Sequence, residues 1–262
     1  GLEIHPGSDS ATFDGWYEAE GEWRWARSAT PSLRFRLERA PARDYILAFS
    51  GGSAAPVEVE FELNGVIVGR GHFDDLVPRD HRFLIDAAVL AMDGTNELRL
   101  RASGEPVVPA GESRALGLGL RTVRLTPLRF PSAALHFTDD DYFLSGFSIA
   151  EKRLRWTREP AARLVYPLHT LVHETCYQLH LSAAAFEHQQ VDLRLNGQSV
   201  AQWTFEGLEP QIRSIRIASD LLREGPNLLE FDLPGARRPE GDPRRLALAF
   251  ISVRMYPLRD CS

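Results

Sequence analysis

The chain has 262 residues, 44% of them hydrophobic, which is enough apolar material for a packed core and argues against global disorder. It holds no run of about 18 apolar residues, so no membrane span is expected. The formal net charge of −6, with arginines and acids interspersed and no basic stretch, argues against a nucleic-acid partner, because such binders displace counterions with a positive surface.

The N-terminal "GLEIHPGSDS" lacks a basic segment followed by an apolar one, so no signal peptide is expected in it. "GWYEAEGEWRW" (15–25) follows, dense in aromatic side chains. Leu33, Phe35 and Leu37, then "YILAFS" (45–50), have the period of strands. Val57, Val59, Phe61 and Leu63 alternate with Glu58, Glu60 and Glu62, which predicts a half-buried strand. Asn64-Gly65 then predicts a tight hairpin, because both central residues of such a turn need positive φ. "IDAAVLAM" (85–92) is a short helix-like patch, followed by Gly94-Thr95-Asn96 and another strand. Leu116, Leu118 and Leu120 keep period two before the apolar positions jump to Val123 and Leu125, which predicts a β-bulge.

The same series then runs again. "GFSIAEKRLRW" (146–156) lies over 15–25, Leu164, Tyr166 and Leu168 over Leu33, Phe35 and Leu37, and "YQLHLS" (177–182) over "YILAFS". Val191, Leu193 and Leu195 lead into Asn196-Gly197, "ASDLLRE" (218–224) into Gly225-Pro226-Asn227, and Leu246, Leu248 and Phe250 jump to Val253 and Met255. The offset stays between 130 and 132, a period too long for a solenoid unit and right for a whole domain. The expected architecture is therefore all-β: two tandem jelly-roll β-sandwich domains of the same topology, 1–128 and 138–262, joined by a linker over 129–137.

An Asn-Gly hairpin, about 30 residues, then Gly-x-Asn before a strand resembles the galactose-binding-like jelly rolls found beside glycosidase catalytic domains and as carbohydrate-binding modules. A narrower resemblance rests on Gly15-Trp16, Glu20, Arg24-Trp25 and Glu112-Ser113-Arg114, repeated as Gly146-Phe147, Glu151, Arg155-Trp156 and Asp242-Pro243-Arg244. This order is similar to β-sandwich modules appended to bacterial glycosyltransferases and methyltransferases of surface-polysaccharide synthesis. That resemblance implies a role in glycan assembly, with a linked or associated glycosyltransferase as partner. Phe147 departs from the pattern, where Trp is expected.

No catalytic signature is present. There is no Gly-x-Ser-x-Gly elbow, and Ser8 and Ser10 lie in a terminal loop without a nearby histidine. His169, His173 and His180 surround Cys176, but "HETCY" lacks the second histidine of a zinc-protease motif, so these are expected to be sheet-end histidines. "TDDDY" (138–142) offers carboxylates of the kind calcium takes and is expected to be a solvated start to the second copy. Glu20 and Glu151 recur beside arginines, one acid per copy, and are expected in structural ion pairs among Glu20, Arg24, Glu112 and Arg114, and among Glu151, Arg155, Asp242 and Arg244. Arg24 and Arg155 are expected to meet these acids. Cys176 and Cys261 are expected to be two unpaired thiols.

Sugar rings present apolar faces that stack on indoles. Trp25 recurs as Trp156 and is expected in the core, whereas Trp16, Trp23 and Trp203 do not recur and, with Tyr17, are the candidate carbohydrate-binding residues. The functional expectation is a non-catalytic glycan-binding or glycan-positioning accessory module of a polysaccharide-building enzyme, needing neither cofactor nor metal. Its alternative is a structural spacer, oligomerisation or protein-interaction module without a glycan ligand. A bacterial location in the cytoplasm or at the membrane is expected over secretion.

Overall fold

The computed structural model describes residues 1–37, 44–91, 94–130, 134–172 and 176–258. His173 and Cys261, named above, lie outside the described residues. The chain divides into two units, Gly1–Leu128 and Arg129–Ser262. None of the described helices is long and apolar enough to cross a membrane.

The first unit contains β1 (Leu2–Ile4), β2 (Ala11–Asp14), β3 (Arg24–Trp25), β4 (Ser32–Arg36), β5 (Tyr45–Ser53), β6 (Val57–Leu63), β7 (Val66–Phe73), β8 (Arg79–Ile85), β9 (Thr95–Ala102) and β10 (Leu118–Pro127). The second contains β11 (Leu135–His136), β12 (Phe143–Ser145), β13 (Arg155–Trp156), β14 (Ala161–Leu168), β15 (Cys176–Ala185), β16 (His188–Leu195), β17 (Gln198–Glu206), β18 (Gln211–Ala218), β19 (Gly225–Asp232) and β20 (Leu248–Pro257). One sheet of the first unit runs β1-β10-β5-β8, with β3 also on β10, and the other runs β2-β4-β9-β6-β7. The second unit repeats both orders as β11-β20-β15-β18, with β13 on β20, and β12-β14-β19-β16-β17. The fold is thus all-β, two jelly-roll sandwiches of one topology. The strand Leu135–His136 falls inside the segment expected as a linker. It repeats β1, since Leu135 lies over Ile4, and its pairing with β20 begins the second unit earlier than the repeat alignment suggested.

Alternation explains the cores. Val59, Phe61 and Leu63 of β6 meet Leu47 and Phe49 of β5 and Leu120 and Val123 of β10 inside the first sandwich, all buried. Val191, Leu193 and Leu195 do the same against Leu179, Leu181, Phe250 and Val253. Truncating a ring such as Phe61, with 0% exposure, is expected to cost about 3–5 kcal/mol. The phase jumps are register shifts: β10 skips a residue between Leu120 and Thr122 against β5, and β20 skips Ile251 against β15. The helix-like patches reduce to single 3₁₀ turns, Ala87–Val89 and Ser219–Leu221.

Asn64 and Gly65 have φ of 51° and 84°, and Asn196 and Gly197 the same values, as a type I′ hairpin needs. Each hairpin asparagine then reaches across the sheet to the asparagine of the Gly-x-Asn motif. The motif is a structural lock.

Cys176, the first residue of β15, is disulfide-bonded. This corrects the expectation of two unpaired thiols. A single pair leaves no spacing pattern in sequence from which a bridge can be inferred.

Candidate functional site

The aromatic segment of the first unit is a short two-armed excursion. Trp16 bridges Ala26, Tyr17 N donates to the Trp25 carbonyl at 2.8 Å, and Glu20 bridges Trp23. Its second arm includes β3, which pairs Arg24 with Leu120 and Trp25 with Gly119. That register places Arg24 on the inner side and Trp23 and Trp25 on the outer side of the sheet.

The two outer indoles stack on each other, ring centroids 5.2 Å apart and planes 11° from parallel. Both are half-buried and outside the core cluster. They lie over Gly119, where a Cβ would stand 2.6 Å from Trp25 and 2.9 Å from Trp23. Only glycine leaves room for this arrangement. The guanidinium of Arg121, at the bulge, lies 5.7 Å from the Trp23 ring centroid and is ion-paired with Glu22. The patch therefore offers an aromatic surface bordered by a donor and an acceptor whose charges cancel. The expectation that Trp25 is a core residue is corrected: alternation fixes it on the same side as Trp23, and the side is the outer one. Trp156, half-buried, pairs with Ala249 in the same way.

The other candidates are placed differently. Trp16 is 5% exposed, its Nε1 donates to the Ser32 carbonyl at 2.9 Å, and it packs edge-on against Phe13. It is a core residue, as Phe147 is in the second unit, and presents no ring face to a ligand. Tyr17 is half-buried beneath Arg114, whose guanidinium lies 5.2 Å from the ring centroid. Trp203, on the edge strand β17, is half-buried and packs against the second core. The matching residue of the first copy is Gly71, with His81 packed on it, so the two copies close the same edge by opposite size choices.

The recurrent acids meet a different arginine from the one expected. Glu20 pairs with Arg114, which also reaches Glu112 at 3.5 Å. Glu151 pairs with Arg244, which binds Asp242 at 2.7 Å. The Arg114 hydrogen bond lowers the pKa of Glu20. Hydrogen bonds from the side chain and backbone N–H of Arg244 hold Asp242 at about 2. Arg24 instead donates to the carbonyls of Pro6 at 2.7 Å and Tyr17 at 3.1 Å, over the ring of Phe13. Arg155 donates to the Phe137 carbonyl at 2.9 Å, lies over Phe143 and pairs with Asp140. Within "TDDDY", Asp140 thus anchors a buried arginine and Asp139 accepts from His136 N at 2.6 Å. Of the expected sheet-end histidines, His180 Nε2 lies 2.9 Å from Tyr256 Oη, and His169 packs edge-on against Phe130.

Gly119, Arg121 and Glu22 were absent from the sequence candidates. The signal available was the difference between copies: the matching residues in the second are Ala249, Ile251 and Arg153, and Leu154 stands for Trp23.

No protein-family model and no curated protein matches the chain. Among solved structures it is similar to the Podospora anserina GH26-CBM35 β-(1,4)-mannanase, with 14% identity over 50% of this chain and 29% of that one, TM-score 0.35. It is similar to the CBM22-1-CBM22-2 tandem of Paenibacillus barcinonensis Xyn10C, with 12% identity over 98% and 93% of the two chains, TM-score 0.30. A third is the M60 catalytic domain with CBM51-1 and CBM51-2 of Clostridium perfringens ZmpB, with 9% identity over 90% and 34%, TM-score 0.29. At these identities and scores the functional reading rests on this chain's own residues.

Proposed function

We propose that the chain is a non-catalytic carbohydrate-binding accessory module, and that its first unit carries the main neutral-sugar site on the Trp23–Trp25 stack. The observation that carries this reading is a pair of stacked indoles held outside the core by a glycine that makes room for them. A core ring needs no such accommodation on an outer face. Indoles stack on the C–H faces of pyranoses, and the neighbouring Arg121 and Glu22 can donate to and accept from sugar hydroxyls. Their mutual neutralisation suits an uncharged sugar. In the second unit Leu154, Ile251 and Arg153 replace Trp23, Arg121 and Glu22, so the same patch there lacks both the second ring and the paired donor and acceptor. Association with a polysaccharide-building enzyme belongs to the same proposal and rests on the sequence resemblance. A glycan array probed with the whole chain tests it. Binding to one class of neutral glycan, weakened by Trp23→Ala, supports it, and an array without any binding favours the spacer reading.

A further inference from the structure

The outer face of the β11-β20-β15-β18 sheet differs from that of its counterpart in the first unit. The four strands contain no Asp or Glu, in a sequence with 36 acids. Pairing fixes a grid of outward side chains: His136 beside Ser252 and Ser182, Arg254 beside His180 and Ser214, and Tyr256 beside Gln178. Successive rows are about 7 Å apart and neighbouring strands about 4.8 Å, so the grid is rigid and extended. Tyr256 is 42% exposed, and its hydroxyl lies 2.9 Å from His180 Nε2, with the rings 5.4 Å apart.

The first unit shows what this face looks like when it has no such set. There Ile46, Ala48 and Thr126 stand for Gln178, His180 and Tyr256. Arg124, the counterpart of Arg254, pairs across the strand with Glu3 at 3.8 Å. In the second unit Ala134 takes the place of Glu3, and among the described residues Arg254 has no carboxylate partner. Losing the neutralising acid while gaining a histidine and an exposed tyrosine leaves an open guanidinium in a field of donors.

We infer that this face binds the carboxylate groups of an acidic polysaccharide, with Arg254 taking the carboxylate and Tyr256 and His180 the neighbouring ring and hydroxyls. The choice of a saccharide rests on the carbohydrate-binding reading above. The charge of the ligand rests on this face alone. A guanidinium matches a planar carboxylate with two parallel N–H donors.

The test is calorimetric titration of the whole chain with polygalacturonate and with its fully methyl-esterified, uncharged form. Variants are Arg254→Gln, Tyr256→Ala and, as a control removing the same charge elsewhere on the second unit, Arg163→Gln, with folding checked by circular dichroism. The acid form should bind more tightly than the ester. Arg254→Gln should lower that affinity about tenfold, to the level of the ester, and Arg163→Gln should leave it unchanged. Equal binding by Arg254→Gln and the wild type overturns the inference, as does equally tight binding of poly-L-glutamate, which would mark a general polyanion effect. If neutral polysaccharides bind in a Trp23-dependent way and polygalacturonate does not bind, this inference alone falls. If no polysaccharide of either kind binds, the carbohydrate-binding reading falls with it.

Discussion

The amide of Asn64 donates to the side-chain oxygen of Asn96 at 2.8 Å, joining a hairpin to the start of β9, about 30 residues away in sequence. Asn196 and Asn227 make the same bond at 2.9 Å in the second unit. In each copy the hairpin asparagine also accepts from the backbone N–H after the second asparagine, Glu97 N at 2.8 Å and Leu228 N at 2.9 Å. Asn227 has 0% exposure, donates to the Arg223 carbonyl at 2.8 Å and accepts from Arg223 N at 3.0 Å.

Removing that side chain leaves the part-buried N–H and carbonyl of Arg223 and the amide of Asn196 without that partner. Asn227→Ala is expected to destabilise the fold by about 2–3 kcal/mol. Urea unfolding followed by circular dichroism checks this, and an unchanged midpoint would mean that water replaces the amide at no cost.

Asp242 provides a pH prediction. Its folded pKa of about 2 lies below that of an unfolded aspartate, about 3.9. The sign follows: its stabilising contribution is fully present above about pH 4 and is lost as pH falls through 2. The pair with Arg244 is at the surface, so the effect on stability is small. The direct check is the carboxyl titration by NMR, which should have its midpoint near 2 in the wild type and move up into the ordinary aspartate range in Arg244→Gln.

Much of the fold was legible because alternation and repetition report burial directly. The positions Val57, Val59, Phe61 and Leu63, read as one face, are buried in the first unit. The candidate site was harder to read. Alternation put Trp23 and Trp25 on one side without saying which, since β3 is only two residues long and carries no apolar pattern of its own. Comparing copies misled at Trp16, because a tryptophan and a phenylalanine fill the same core position. It misled again at Trp25, where a recurrent ring faces outward. The bonds of Arg24 run to backbone carbonyls, which every residue has, so no sequence pattern marks them.

Gly119→Ala tests whether the glycine makes the aromatic patch. Its new Cβ would fall 2.6 Å from Trp25 and 2.9 Å from Trp23, so the rings must shift. We expect the coupled circular-dichroism signal of the stacked indoles to be lost while the β-sheet spectrum is kept, and sugar affinity to fall with it. Retention of the coupled signal would show that the rings accommodate a methyl group.

The disulfide at Cys176 predicts that this residue resists alkylation in the folded, unreduced protein and reacts after reduction. Peptide mass spectrometry checks it. Labelling of Cys176 without reductant would return the cysteines to the free thiols expected from sequence.

The measurement that bears most directly on the proposed function is the affinity of the whole chain for soluble neutral polysaccharides, compared among wild type, Trp23→Ala and Trp25→Ala. A stacked ring contributes about 0.5–1.5 kcal/mol beyond its buried area. Each substitution should therefore weaken binding by a factor of about 2 to 12, with Trp203→Ala leaving it unaltered provided the second unit stays folded. Wild type and both tryptophan variants binding equally, or binding lost only in Trp203→Ala, would contradict the assignment of the site to the Trp23–Trp25 stack.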